Sequence, residues 1–366
     1  MAFAARCGAW EYIVTDGSRG AEFDLIERIR ARVPQRDDVI LGIGDDAAVL
    51  QVPEGKHLVV ATDTLNAGVH FPLGTVPADI GWKALAVNLS DLAAMGAQPA
   101  WCTLSLSLPM ADVQWLDEFL DGFLGLASLH GVALVGGDTT RGPLSIGVTV
   151  HGLVDPGRVL RRDAAQVGDE VWVSGTLGDA AAALSLLPPP SAGGPGGLAR
   201  QGAGGAGAAP PLQPRSIEQE REGCLQALRP RLDRPLPRVD TGRALVGLAH
   251  AAIDLSDGLL ADLAHVCRAS AVAAELQLEA LPASPALRAA FEPSQRYPLQ
   301  TAGGDDYELC FTAPLAARGA IERVSRDTGV ALTRIGVIVA GDSVRVLDRQ
   351  GDHWQPARDG YVHFAG

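Results

Sequence analysis

KALAVNLSDLAAMGA, residues 83–97, is the stretch from which the rest of the chain can be read. Ala84, Leu85, Val87, Leu92 and Met95 recur at helical intervals, Pro77 and Asp79 supply an upstream start, and Gly96 supplies a stop. This predicts a long buried helix over 77–96. Ser90-Asp91 could cap a helix, yet its apolar neighbours put it in a buried setting. A carboxylate there needs a partner, because an uncompensated buried charge is costly.

Outward from this helix, apolar runs alternate with helical patterns. Strands are expected over 39–43, 58–62, 104–108, 132–135 and 144–153. Helices are expected from residue 22 to 33, over 115–129, over 257–267 and over 316–328, with a strand inside 302–312. Short strands with intervening helices in both halves indicate an α/β (α+β) chain of two domains. The expected boundary lies at the Asp155-Pro156-Gly157 turn, which divides 21–153 from 154–366. Residues 1–20 read as a loose, flexible extension. Residues 188–214 are almost entirely Pro, Gly, Ala and Ser, and read as a disordered insertion.

At 366 residues, with 47% hydrophobic and 20% charged side chains, the chain is long enough for two ordinary cores. No apolar run approaches the ~20 residues that span a bilayer, and the first residues lack a signal-like apolar core, so a cytoplasmic location is expected without membrane contact. Five scattered cysteines without CxxC spacing read as reduced thiols. A net charge of −13 without a basic run argues against nucleic acid as a partner. An anionic substrate on so acidic a chain calls for metal cations between the two sets of charge.

Six segments share one design, an aspartate beside glycine or a hydroxyl residue at a strand end or helix start. They are GIGDD (42–46), TDT (62–64), NLSD (88–91), GGDTT (136–140), DLSDG (254–258) and GGDDYE (303–308). Any one of them alone reads more readily as a turn or cap. Together they suit Mg²⁺, which takes oxygen ligands and is held by a few carboxylates plus substrate phosphates. Asp254 and Asp257 read as two acids on one side of an extended strand, which repel unless a cation joins them. Glycines let backbone N–H groups approach phosphate. His70 and the guanidinium groups of Arg141, Arg161 and Arg162 are further candidates, the arginines as phosphate clamps. The chain has no GxxxxGK[ST] loop, no kinase HRD…DFG set, no GxGxxG dinucleotide fingerprint at a strand-to-helix turn and no GxSxG. Glycosidase chemistry is disfavoured because aromatics are only 5% and no aromatic-lined cleft is implied.

GIGDDAAVL (42–50), ATDTLNAGVHF (61–71), KALAVNLSDLAAMGA (83–97), LVGGDTTRGP (134–143), IDLSDGL (253–259) and GGDDYELCFT (303–312) together resemble the thiamine-monophosphate kinase family, in order and in spacing. The likeness covers 22–364 apart from the insertion. That family belongs to a wider group with aminoimidazole ribonucleotide synthetase and selenophosphate synthetase. The resemblance implies that group's two-domain fold: an N-terminal sheet domain that dimerises, and a C-terminal α/β domain. It implies ATP and thiamine monophosphate as substrates, several Mg²⁺ ions, and direct transfer needing no protein acid or base. By motif match, Asp46, Thr62, Asp63, Asp91, Asp138, Asp254 and Asp257 would be metal ligands. Gly137, Asp138, Arg162 and Ser256 would contact ATP, and His70 and Asp305 the acceptor. Three departures stand out: Ala61 replaces a Ser, Asp305 replaces a Glu, and Arg358 stands where an aromatic is usual, which leaves Trp354 as the stacking candidate. The alternatives are another ATP-dependent synthetase of the group, aminoimidazole ribonucleotide synthetase-like or selenophosphate synthetase-like, and a catalytically silent ATP-binding protein.

Overall fold

The computed structural model describes residues 17–188 and 217–356. Residues 1–16, most of the insertion and Arg358 lie outside the described residues. The N-terminal half runs α1 Gly17–Arg32, β1 Val39–Leu41, β2 Val49–Leu50, β3 His57–Asn66, α2 Pro77–Ala94, β4 Gln98–Leu108, α3 Val113–Leu129, β5 Ala133–Arg141 and β6 Ser145–Val154. The C-terminal half continues with β7 Glu170–Ser174, α4 Asp179–Leu186, α5 Ile217–Asp233, α6 Val239–Leu245, β8 Ala251–Asp254, α7 Leu259–Ser270 and β9 Ala273–Gln277. It closes with α8 Pro285–Ala290, α9 Pro293–Ala302, β10 Leu309–Ala313, α10 Arg318–Thr328, β11 Leu332–Val339, β12 Val344–Leu347 and β13 His353–Trp354.

A four-stranded sheet of order β3-β6-β4-β5 forms the first half, and a seven-stranded sheet of order β13-β12-β9-β11-β7-β10-β8 the second. The expected mixed helix-and-sheet class is the one observed. Several boundaries move. Helix α1 begins at Gly17, inside the stretch read as a loose extension. Strands β3 and β4 run longer than their apolar cores, because ladder hydrogen bonds carry polar residues along. Helix α7 starts at Leu259, so Asp257 precedes it rather than opening it.

The decisive stretch is a helix, but Ser90-Asp91 caps nothing: both residues lie in the last turns of α2. This helix is buried along nearly its whole length. It rests on the sheet, on α3 and on the second half of the chain. Two glycines bring α2 and α3 together: a Cβ on Gly81 would stand 2.0 Å from the Phe119 carbonyl oxygen, and one on Gly122 would stand 1.7 Å from that of Ala78. Across the halves, Gly242 of α6 approaches the Ala93 carbonyl so closely that a Cβ would stand 1.9 Å away. The Trp82 indole donates to the Pro235 carbonyl at 2.9 Å. Leu85, Leu89 and Leu92 of α2 share one core with Trp172, Phe311 and Ile321 of the second half. No helix among the described residues is long and apolar enough to cross a membrane.

Candidate active site

A cavity of about 470 Å³ opens where the two halves meet, within the range of small-ligand sites. The first half contributes Asp63 of β3, His70, and Val87 and Asp91 of α2 to its lining. The second half contributes Arg162, Ala180 and Leu184 of α4, the Asp254–Asp257 turn, and Gly304, Asp305 and Tyr307.

Each acid arrives by a distinct local route. Asp63 lies on the same sheet face as Val148 and Leu104, the face covered by α2, and its backbone N–H donates to the Asn88 side-chain oxygen at 2.9 Å. Asp91 comes from the last full turn of α2. Asp254 ends β8, and Ser256 and Asp257 follow in a turn, so the two carboxylates do not sit on one extended strand. The Asp262 carboxylate closes that turn. One of its oxygens accepts the backbone N–H groups of Ser256, Asp257 and Gly258 at 3.0, 3.1 and 3.1 Å.

The electrostatics follow from crowding acids into a partly dry cleft. Burial first, then Asp254 and Asp63, push Asp91 up to about 8, while Arg162 opposes them. Burial raises Asp254 to about 6, against the nearby Ser90 hydroxyl and the Arg162 charge. Asp262 rises to about 7 through burial and the neighbouring Asp254 and Asp257. Burial also raises Asp63, and His70 draws it back. The His70 Nδ1 accepts the Asn66 backbone N–H at 2.9 Å, which places the ring proton of the neutral form on Nε2. Such a set of acids is uncomfortable without added positive charge.

The 303–308 segment is held in unusual backbone. Asp305 and Tyr307 have φ of 69° and 48°, left-handed values that cost energy outside glycine. Their backbone N–H groups donate to the Ser256 and Leu255 carbonyls at 2.9 and 2.8 Å. Behind them, Asp306 accepts the Gly178 N–H, and buried Glu308 takes Arg231, Arg238 and Ser174. The signal for this wiring was the GGDDYE motif, but its arginine partners are remote in sequence and were missed. So was Lys83, whose ammonium reaches Asp305 at 3.1 Å.

Asp63, His70, Asp91, Arg162, Asp254, Ser256, Asp257 and Asp305 thus line one cleft. Asp46, Thr62, Gly137 and Asp138 lie outside its lining. Thr62 and Asp138 are on the sheet face away from α2. There the Thr62 hydroxyl donates to the Val148 carbonyl at 3.1 Å and accepts from Thr149 at 3.0 Å. Asp138 stands opposite Ser105, and Asp46 is exposed. Gly137 has φ of 148°, and a Cβ there would stand 1.8 Å from the Leu104 carbonyl oxygen, so strand packing alone demands glycine. Arg161 pairs with Asp163. Trp354 packs edge-on against Tyr297 at 6.3 Å and is not part of the cleft lining.

The residues present fit Mg²⁺. Among the described residues, no three His, Cys, Asp or Glu side chains form a ready-made cage. Mg²⁺ does not require one, because it keeps waters and takes ligands from substrate phosphates. Asp63, Asp91, Asp254 and Asp257 are the groups that would hold it.

Residues 44–154 match the model of the AIR synthase related protein N-terminal domain, and residues 197–349 match that of the C-terminal domain. The thiamine-monophosphate kinase of Escherichia coli K12 is 45% identical over 94% of this chain and 98% of its own. The crystal structure of thiamine-monophosphate kinase from Stenotrophomonas maltophilia K279a superposes with a TM-score of 0.76. It is 50% identical and covers 89% of this chain and 96% of its own. AaThiL complexed with AMPPCP and TMP superposes at 0.68, with 30% identity over 96% of this chain and 100% of its own. Matches to both of these domain models, one in each half of the chain, define an AIR synthase related protein. Within that class, the chain belongs to the thiamine-monophosphate kinase family.

Proposed function

We propose that this protein transfers the γ-phosphoryl group of ATP directly to the phosphate of thiamine monophosphate, giving thiamine diphosphate and ADP. The observation that carries this reading is the convergence of Asp63, Asp91, Asp254 and Asp257 from both halves on one cleft, in a chain of this family. Asp63, Asp91, Asp254 and Asp257 would hold Mg²⁺, which would supply positive charge to offset that of the phosphates. Arg162 places a guanidinium at the same cleft for the nucleotide phosphates. Ser256 is assigned to ATP, and His70 and Asp305 face the acceptor; Asp46, Thr62, Gly137 and Asp138, which lie outside the cleft lining, take no part in this assignment. The acceptor phosphate is already an ionised nucleophile, so no side chain needs to remove a proton. Val69 and Leu184, both exposed at the cleft rim, offer apolar surface to the rings of the acceptor.

A homodimer through the first sheet is part of the proposal. Its support is the sheet face away from α2, where edge strand β3 exposes Leu58 and Val60. A cytoplasmic location also belongs to the proposal and is tested by fractionation. The central experiment incubates the protein with ATP, Mg²⁺ and thiamine monophosphate and separates the products. Thiamine diphosphate formed in step with ADP is expected. ADP formed only with a different acceptor rejects this reading.

A further inference from the structure

We infer that Lys83 is a positioning residue: it ties the acceptor-side segment 304–308 to helix α2, the helix that carries Asp91. Lys83 is 2% exposed and belongs to α2. Its Nζ meets the Asp305 Oδ2 at 3.1 Å, and the Tyr307 hydroxyl donates to the other oxygen, Oδ1, at 3.1 Å. Asp233, the next acid to feel the Lys83 charge, is engaged by Arg229. A buried ammonium deprived of its carboxylate is strongly unfavourable, so Lys83 holds Asp305 wherever Asp305 can reach it.

Three observations make this more than a structural ion pair. The segment that Lys83 holds has two non-glycine residues in left-handed backbone, a geometry that relaxes unless surrounding contacts enforce it. Its remaining ties on the cleft side are the backbone bonds to Leu255 and Ser256, and Ser256 lines the cleft itself. Finally, Lys83, Val87 and Asp91 follow one another at helical spacing, and the last two line the cavity. One rigid helix therefore sets the separation between an acid of the proposed metal cluster and the segment facing the acceptor. Phosphoryl transfer depends on that separation, and an error of about 1 Å can cost on the order of a hundredfold.

The inference rests on the kinase reading only for its kinetic arm. Lys83→Met, Lys83→Arg and Asp305→Asn are made in the full chain. Hydrogen exchange is followed in peptides covering 304–310 without ligands, and KM is measured separately for ATP and thiamine monophosphate. In Lys83→Met, exchange in this segment should quicken selectively. The acceptor KM should rise on the order of tenfold to a hundredfold, with the ATP KM within about twofold. Lys83→Arg should restore part of both. Asp305→Asn should quicken the same exchange, and it carries the test alone if Lys83→Met does not fold. Unchanged exchange, or equal rises in both KM values with general loss of stability, overturns the inference. A wild type that makes no thiamine diphosphate would sink the proposed function while leaving the exchange result to decide this one.

Discussion

Asp91 concentrates the conflict between stability and function. Its folded pKa of about 8 and that of Asp254, about 6, stand above the ordinary value of 3.8. The folded protein therefore holds protons that the unfolded chain releases. The stability this confers is full below about pH 4 and is lost as pH rises through 6 and then 8. Metal-free protein should melt at progressively lower temperature from pH 5 to pH 8. Mg²⁺ with nucleotide should raise the melting temperature more at pH 8 than at pH 5. Asp91→Asn should flatten this slope, raise the melting temperature in EDTA at pH 8, and lower kcat/KM by about a hundredfold or more. Differential scanning fluorimetry and steady-state kinetics on one pair of samples check all of this. A wild type whose metal-free stability climbs toward pH 8 would contradict the arrangement of acids described.

At the scale of elements, α2 and α3 pack closely because glycine removes side chains at their crossing. Gly122 and Gly125 lie on the same helix but in opposite circumstances: a Cβ on Gly122 would strike the Ala78 carbonyl at 1.7 Å, whereas one on Gly125 meets nothing within 4 Å. Gly122→Ala should destabilise by about 1–3 kcal/mol or more through forced separation of the helices. Gly125→Ala should stabilise by up to about 1 kcal/mol through helix propensity. Thermal melts of the two variants compare them directly, and equal effects would refute the close crossing. Because α2 also carries Lys83, Val87 and Asp91, Gly122→Ala should reduce activity as well as stability.

At the scale of the whole molecule, the proposed dimer turns on β3. Its outward residues Leu58 and Val60 are 45% and 54% exposed, on an edge strand with one unpaired side. Val60→Asp should convert a dimer into a monomer in light scattering, with a lower melting temperature, since a charge would enter the apolar contact. A wild type that is monomeric at micromolar concentration would remove the dimer from the proposal. Thr62 and Asp138 lie on this same sheet face, away from Asp63 and Asp91.

How much of this was legible follows from the range of each force. Sequence by itself determined the helices and strands whose apolar spacing repeats locally, the long buried helix over 77–96, and the acid-rich motifs, because glycine, aspartate and hydroxyl residues at fixed spacing signal backbone geometry and hard-cation chemistry without reference to the rest of the chain. The tertiary structure alone decided which acids share a cleft. Asp63 and Thr62 are adjacent in sequence yet face opposite sides of β3, since strand side chains alternate. It alone paired Lys83 with Asp305 and Glu308 with Arg231 and Arg238. Those partners are distant along the chain, and no local periodicity encodes a contact that exists only once two sheets and one buried helix have closed on each other.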